Sequence, residues 1–409
     1  MIEMLLLVAL NAYISSVYAR IDVEPDFATF AMWGVTGARY GKDFVDCKTP
    51  LVHSWLALLG KLCKQRIVYM RLIHFLVTGA PATIYYALTK DFAGALAFLV
   101  MVHSGWLLAF HGNVGDLPAG MIFLALIVPD PWIKMGLLVL ATLYDPKLIA
   151  ATGLMTLFSI TKLWLPAVVY SGVVLIALAF VWKYKHSLWE LLVESSFTIP
   201  ARMQKSRKGL YTWMPTYTGI GFIYLLPWVG AAVLSKPEIL YWIPPLAFLL
   251  FQFTGRVVRQ NHLIPLVAWV AASGIRPEFV YALAATDFIS SGLYLPDIWK
   301  RFYTGLADLI KDAKAVGLWL ADKPGTLWVN TMHTEIYLWA KKPPVHGMME
   351  VIEVHAVAKE RRRIMENKIS KSPPDWIVVG NDINVNFDYS DYAVVARSPY
   401  FVIYKRRAQ

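Results

Sequence analysis

Apolar runs separated by short polar loops dominate positions 1–299 of the chain. A membrane span needs about 20 apolar residues, fewer where its ends sit in the interfaces or the helix is buried in a bundle. On that basis the pattern predicts about eleven spans. They lie near 3–19, 67–88, 91–110, 117–130, 133–144, 148–161, 164–182, 217–235, 239–255, 262–275 and 277–295. The first run ends in small residues, as a signal peptide does. It lacks a basic flank at its start and is read as a retained span. Residues 50–66, PLVHSWLALLGKLCKQR, are too short to cross comfortably and end in Lys61, Lys64 and Arg66. They read as an interfacial helix with snorkelling cations.

From about residue 300 the pattern changes. KRFYTGLADLIKDAKAVGLWLADKPG has the spacing of an amphipathic helix that stops at a Pro-Gly break. TLWVN, EIYLW, DWIVVG and YFVIYKRR are strand-like, with β-branched and aromatic residues. VIEVHAVAKERRRIMENKI mixes apolar and charged residues as a surface helix does. The expected fold class is therefore an α-helical polytopic membrane protein with a small C-terminal α/β soluble domain. The expected boundaries are 1–299 for the membrane domain, including a first polar loop at 20–66, and 300–409 for the soluble one.

Composition supports that class. Of 409 residues, 57% are hydrophobic and 16% charged, against roughly 25% charged in soluble domains. The 16 Trp and 21 Tyr suit a protein with two membrane interfaces. The formal net charge of +11 comes with no nucleic-acid motif, so it points to anionic lipid or a phosphate-bearing ligand. Cys47 and Cys63 have neither metal spacing nor a disulfide framework. No Walker loop, HExxH pair, cysteine cluster or nucleophile elbow is present, which argues against an ATP-driven engine.

If 50–66 lies flat, the loops at 20–66, 111–116, 145–147, 183–216 and 256–261 share one face with the C-terminal segment. That face carries Arg202, Lys205, Arg207, Lys208, Arg256 and Arg259. Counted as topology signals, these residues place it in the cytoplasm. Counted as phosphate ligands, they carry no topological information.

Candidate chemistry concentrates in the first loop, DVEPDFATFAMWGVTGARYGKDFVDCKTP. Asp22, Glu24, Asp26, Asp43 and Asp46 stand there beside Arg39, Lys42 and Lys48. Charges this dense in an apolar chain mark function. Asp26, one residue after Pro25, fits two roles: a dipole-favoured residue at a helix start, or a general base at the membrane surface. Lys48 is either half of a surface ion pair with Asp43 or Asp46 or a phosphate contact. HGNVGD at 111–116 makes a good turn. His111 and Asp116 are also donors that a divalent metal ion takes, together with Asp26. In FTGRVVRQNH, Arg256, Arg259 and His262 recur at helical spacing, as interfacial anchors or as an anion clamp. The basic run at 201–209 reads as a headgroup-facing loop.

Taken in order, these segments resemble the GT-C superfamily of membrane glycosyltransferases, in the branch of protein O-mannosyltransferases and aminoarabinose transferases. An acidic motif of the kind PDEAxY follows the first span in that family. Here EPDFATF stands there, with Asp26 at the first acid and Phe27 in place of the second, a loss for which Glu24 or Asp22 compensates. GARYGKDFVDCKTP matches a pattern like GxxYxDxxxxKxP, with its lysine at Lys48. Arg71 matches an arginine that opens a span, and Asp116 an aspartate outside the third span. GRVVRQNHLIPLVAW matches GRxxxxHYxxxxP, with Leu263 where tyrosine is usual. LWVNTMHTEIYLWAKKPP and PPDWIVVG resemble the trailing soluble domain.

The resemblance implies an integral membrane enzyme with its active site on the extracytoplasmic face. It would move a monosaccharide from a dolichyl- or undecaprenyl-phosphate donor to a hydroxyl on a protein, lipid or glycan. Asp26 would act as base in an inverting attack, supported by Glu24 and Asp116. Lys48, Arg256, Arg259 and His262 would hold the phosphate. Two other classes share these features. A flippase for an anionic lipid-linked sugar predicts pseudo-symmetric halves, and the sequence shows no internal repeat. A non-catalytic subunit of the same fold predicts that Asp26 is dispensable.

Overall fold

In the computed structural model, the described residues are 2–20, 25–36, 50–104, 117–145, 148–159, 168–173, 176, 214–238, 242–243, 245–246, 263–331, 333–345, 366–381 and 387–407. They are mostly helical and fall into two compact units interleaved in sequence. The first comprises Met1–Ile21, Arg71–Lys183 and Gln204–Pro296, the second Asp22–Met70, Tyr184–Met203 and Asp297–Gln409.

The described elements of the first unit are all helices. The unit contains α1 (Ile2–Arg20), most of α4 (Ile67–Thr89), α5 (Phe92–Val102), α6 (Leu117–Ile127), α7 (Pro131–Tyr144), α8 (Ile149–Ser159), α9 (Met214–Ser235), α10 (Ile264–Ala271) and the start of α11 (Pro277–Ala321). Among the described residues, α1 and α4 are long and apolar enough to cross a membrane, and α5, α6 and α7 are shorter apolar helices. Helices that are apolar all round belong inside a bundle. Accordingly, every residue of α5 from Ala93 to Val102 is buried, as is all of α10. Phe98 stacks on Phe123 at 4.2 Å and Phe123 on Tyr85 at 4.6 Å. Gly120 lets α6 close onto Pro81 of α4, where a Cβ would overlap the proline ring.

Several contacts gather helix ends at one end of this unit. Tyr86, near the end of α4, donates to Glu3 at the start of α1. Tyr85 donates to Asp91 Oδ2 at 2.8 Å, and Asp91 caps α5 by accepting from Gly94 N at 3.0 Å. Arg276 N, just before α11, donates to Ser235 Oγ at the end of α9 at 3.0 Å. Phe92 at the start of α5 lies 6.4 Å from Tyr281 near the start of α11, ring centroid to ring centroid, so the starts of α1, α5 and α11 and the ends of α4 and α9 share one end.

The second unit holds α2 (Pro25–Thr36), α3 (Pro50–Leu62), the rest of α11, α12 (Glu335–Ala340) and a four-stranded sheet. Strands β1 (Leu327–Asn330), β2 (Trp376–Gly380), β3 (Tyr392–Arg397) and β4 (Phe401–Arg406) lie in the order β1-β2-β4-β3. β1 pairs parallel with β2; β2–β4 and β4–β3 are antiparallel, with a bulge between Val394 and Ala396. EIYLW, expected as a strand, is instead α12. The Tyr337 hydroxyl accepts from Val329 N at 2.7 Å, folding this turn of helix back onto β1, and Lys341 ends it in the left-handed conformation. The span expected to stop near 295 and the amphipathic helix expected from 300 are one continuous helix, α11. The change in polarity there ends an apolar stretch without ending the helix.

Asp375 pins the entry to the sheet. It accepts from Thr326 N at 2.7 Å and Thr326 Oγ1 at 2.9 Å, and its own N–H donates to Thr326 Oγ1 at 3.0 Å. Gly325 has φ +105°, and a Cβ there would lie 2.7 Å from Asp375 Cβ. The backbone hydrogen bond from Thr326, then its hydroxyl and the charges of Arg406 and Lys342, hold the Asp375 carboxyl below its ordinary value against opposing desolvation. A depressed folded-state pKa contributes stability above the unfolded value of about 3.9, and that contribution is lost as pH falls through the folded value. Thermal unfolding of the wild type is therefore expected to lose more stability between pH 5 and 3 than Asp375→Asn does. Parallel curves would remove Asp375 from the acid response.

Candidate active site

Pro25 occupies the first helical position of α2, where its missing N–H costs nothing and its fixed φ suits the helix. Asp26 follows in the first turn, at the end of the helix dipole that stabilises a carboxylate. Its backbone is helical; its side chain lies outside the described residues. So do Glu24, Lys48, His111, Asp116, Arg256, Arg259 and His262.

The support around Asp26 is well defined. Phe27, Ala31, Met32 and Val35 are buried along α2. At Gly34 the helix meets the backbone of α3 directly, since a Cβ there would lie 2.7 Å from Ala57 N and 2.9 Å from Leu56 O. Gln65 Nε2 donates to Val35 O at 3.0 Å and ties the end of α2 to the turn after α3. α12 packs on α2 as well. At its start His333 Nδ1 lies 2.8 Å from Glu335 Oε1, both side chains being buried. A buried carboxylate needs such a partner. The phenol of Tyr337, one turn on, is raised above its ordinary range by burial, opposed by the hydrogen bond with the Val329 backbone.

Arg71, the arginine at the start of a span, is buried near the beginning of α4, and its Cζ lies 5.7 Å from the Phe75 ring centroid. This is the geometry of a cation over an aromatic face.

The first unit contains a second polar cluster that sequence reasoning missed. Asn11 Nδ2 donates to Leu76 O at 2.9 Å, which fixes the amide orientation. Its Oδ1 then accepts from Ser15 Oγ at 3.2 Å and from His103 Nε2 at 3.1 Å. Gly79 leaves the room, because a Cβ there would overlap Asn11 Oδ1 and lie 2.6 Å from His103 Nε2. Ser104 Oγ donates to Asp287 Oδ1 at 3.2 Å, and Tyr224 stands beside both. Asn11, His103, Tyr224 and Asp287 each lie about 14–16 Å along their helices from the shared end. They form a polar layer at one depth. The signal was available: an isolated polar residue inside an apolar span marks function or a buried partner.

Among the described residues, no three His, Cys, Asp or Glu side chains converge as a metal site. The expected metal set, Asp26, His111 and Asp116, lies outside the described side chains.

No protein-family profile matches the chain, and no curated protein does. Solved structures do. The crystal structure of ArnT from Cupriavidus metallidurans bound to undecaprenyl phosphate superposes with a TM-score of 0.63, covering 98% of this chain and 97% of that one at 12% identity. The chain has the ArnT fold. The apo structure of the same protein gives a TM-score of 0.59 at 14% identity, again over 98% of the chain. The likeness of fold thus extends over nearly the whole length of the chain. At this identity the likeness is one of fold, and no residue role passes to this chain through it.

Proposed function

We infer that the chain is an integral membrane glycosyltransferase using a polyprenyl-phosphate monosaccharide as donor. The observation that carries this reading is the end-to-end likeness to a protein crystallised with undecaprenyl phosphate. The sequence motifs supply the rest: a first span, an acidic loop with Asp26, a lysine at 48 and a basic cluster at 256–262. A flippase would share the basic face but predicts pseudo-symmetric halves, and the sequence shows no internal repeat.

In the proposed reaction Asp26 takes the proton of an acceptor hydroxyl. The acceptor oxygen attacks the anomeric carbon while the bond to the phosphate oxygen breaks, inverting the configuration. The electron pair leaves on polyprenyl phosphate, whose charge is stabilised by Lys48, Arg256, Arg259 and His262. Glu24 and Asp116 support the base, and the reaction takes place on the extracytoplasmic face. Asp26, His111 and Asp116 are also the set that a divalent ion would use. Full activity in excess EDTA removes the ion from the scheme.

The test is sugar transfer or donor hydrolysis by the purified protein over a panel of undecaprenyl- and dolichyl-phosphate hexoses and pentoses. Turnover of one donor supports the reading. Lipid movement across vesicles without turnover points to a flippase, and neither activity to a non-catalytic subunit. Lys48→Ala is expected to weaken undecaprenyl-phosphate binding about tenfold, the size of a charge-assisted hydrogen bond. An unchanged Kd returns Lys48 to a surface ion pair.

A further inference from the structure

The outer face of α3 is apolar and then abruptly basic. Leu58 and Leu62, one turn apart, are 47% and 63% exposed. Val52, Leu56 and Leu59 on the opposite face are buried, and there the backbone of Leu56 and Ala57 meets Gly34 of α2. Val68 and Tyr69, in the first turn of α4, are exposed as well. Between these two apolar pairs stand Lys61, Lys64 and Arg66, all exposed. α4 is long and apolar enough to cross a membrane, and it starts at Ile67. The basic cluster therefore ends one residue before a span, at the level where lipid headgroups lie.

The protein itself supplies no counter-charge. The nearest acids along the chain are Asp46 and Asp91, and among the described residues none of the three cations pairs with a carboxylate. A helix C-terminus attracts cations, which explains Lys61 in the last turn of α3. It does not explain Arg66, which immediately precedes the N-terminus of α4, where the dipole repels a cation. The Arg66 guanidinium lies 5.8 Å from the Tyr69 ring centroid. Lys64 and Gln65 both take left-handed backbone, with φ 49° and 60°, where glycine is the usual residue. Gln65 has a reason to be there, since its amide ties α2 through Val35 O. Lys64 has no hydrogen bond or ion pair among the described residues. The turn thus carries backbone strain and holds out an unpaired cation, the kind of strain that marks a function.

We propose that Lys61, Lys64 and Arg66 form a docking surface for the anionic phospholipid headgroups of the surrounding bilayer. Leu58, Leu62, Val68 and Tyr69 dip into the acyl boundary beside them. The charges are complementary: unpaired cations at headgroup level meet phosphodiester anions, and each contributes about a fivefold preference at a membrane surface. Apolar and basic residues share one exposed strip at the foot of a span, which is the pattern of an interfacial segment. None of the three is among the cations assigned above to the donor phosphate. The buried face of α3 carries α2, and α2 carries Asp26, so the same surface fixes the helix of the candidate base at headgroup level.

The experiment places the full chain in nanodiscs of equimolar phosphatidylglycerol and phosphatidylcholine and counts the lipids that stay bound by native mass spectrometry. The wild type is expected to retain phosphatidylglycerol at least about tenfold over phosphatidylcholine. Lys61→Gln, Lys64→Gln and Arg66→Gln together should remove most of that preference. Lys341→Gln, Lys371→Gln and Arg397→Gln, which delete three exposed cations elsewhere, should leave it in place. Lys64→Gly suits the left-handed backbone, so it should unfold no earlier than the wild type and still lower the preference about fivefold. It stands in if the triple variant does not elute as the wild type does. A preference that survives both the triple variant and Lys64→Gly overturns the surface. So does an equal fall in the control triple, or a wild type that retains the two lipids alike. Undecaprenyl phosphate added to the same discs separates the other source of phosphate. If it is retained in place of phosphatidylglycerol and lost in the triple variant, the three cations belong to the donor's site and the proposal fails.

Discussion

Asp26→Asn is expected to lower sugar transfer by about 10²–10⁴-fold, the range that a positioned general base contributes, while undecaprenyl-phosphate binding stays at the wild-type level. The amide keeps the size of the side chain and loses the ability to take a proton. The position supports this role: Asp26 lies in the first turn of α2, where the dipole favours the ionised form. The buried residues Phe27, Ala31 and Met32 hold the helix below it. A base is useful only when ionised at the working pH, and a helix N-terminus secures that without a second charge. If Asp26→Asn transfers sugar at the wild-type rate, the helix-start role is its whole function, and Glu24 or Asp116 becomes the next candidate to replace. If lipid binding and transfer fall together, Asp26 acts on the donor rather than on the acceptor.

Much of the architecture was legible in the sequence because it depends on patterns longer than a turn. The helices α1, α3, α4 and α6 to α9 and strands β1, β2 and β4 all follow from apolar periodicity and flanking breakers, although among the described residues only α1 and α4 are long and apolar enough to cross a membrane. α12 was misread because EIYLW is a short apolar run with no period of its own. What decides it is the hydrogen bond of Tyr337 to the Val329 backbone, a tertiary contact that no local rule contains. β3 escaped because YAVVAR lies at the sheet edge with Val394 and Val395 exposed, so burial leaves little alternation in it. The span near 91–110 was drawn from hydropathy, which continues past Val102, whereas α5 stops there at His103. The polar layer of Asn11, His103, Ser104 and Asp287 was hidden for a related reason. Its members are far apart in sequence and individually unremarkable in long apolar runs. The acidic loop was the easier signal, since its charges are adjacent.

The other large effect is expected at Gly34. Gly34→Val should prevent α2 from seating on α3 and remove most activity along with Asp26's position. The helices approach so closely here that even a Cβ would lie 2.7 Å from Ala57 N, 2.8 Å from Leu56 C and 2.9 Å from Leu56 O. All three atoms are backbone, so no rotamer change relieves the overlap, and one helix must move. Overpacking a tight interior costs about 1–3 kcal/mol where side chains can adjust; against a rigid backbone the upper end applies. Gly60 shows the contrast on the facing helix, where a Cβ would lie 3.4 Å from Gly34 O, ordinary van der Waals contact. Gly60→Ala is therefore expected to be nearly neutral. The measurement is thermal unfolding of both variants together with transfer activity. A large loss for Gly34→Val beside a small one for Gly60→Ala locates the effect in the helix–helix contact that carries Asp26. Equal and small losses in both would mean that α2 slides on α3 at little cost, and the base would then have to be held from the α12 side, through the contact made beside the His333–Glu335 pair.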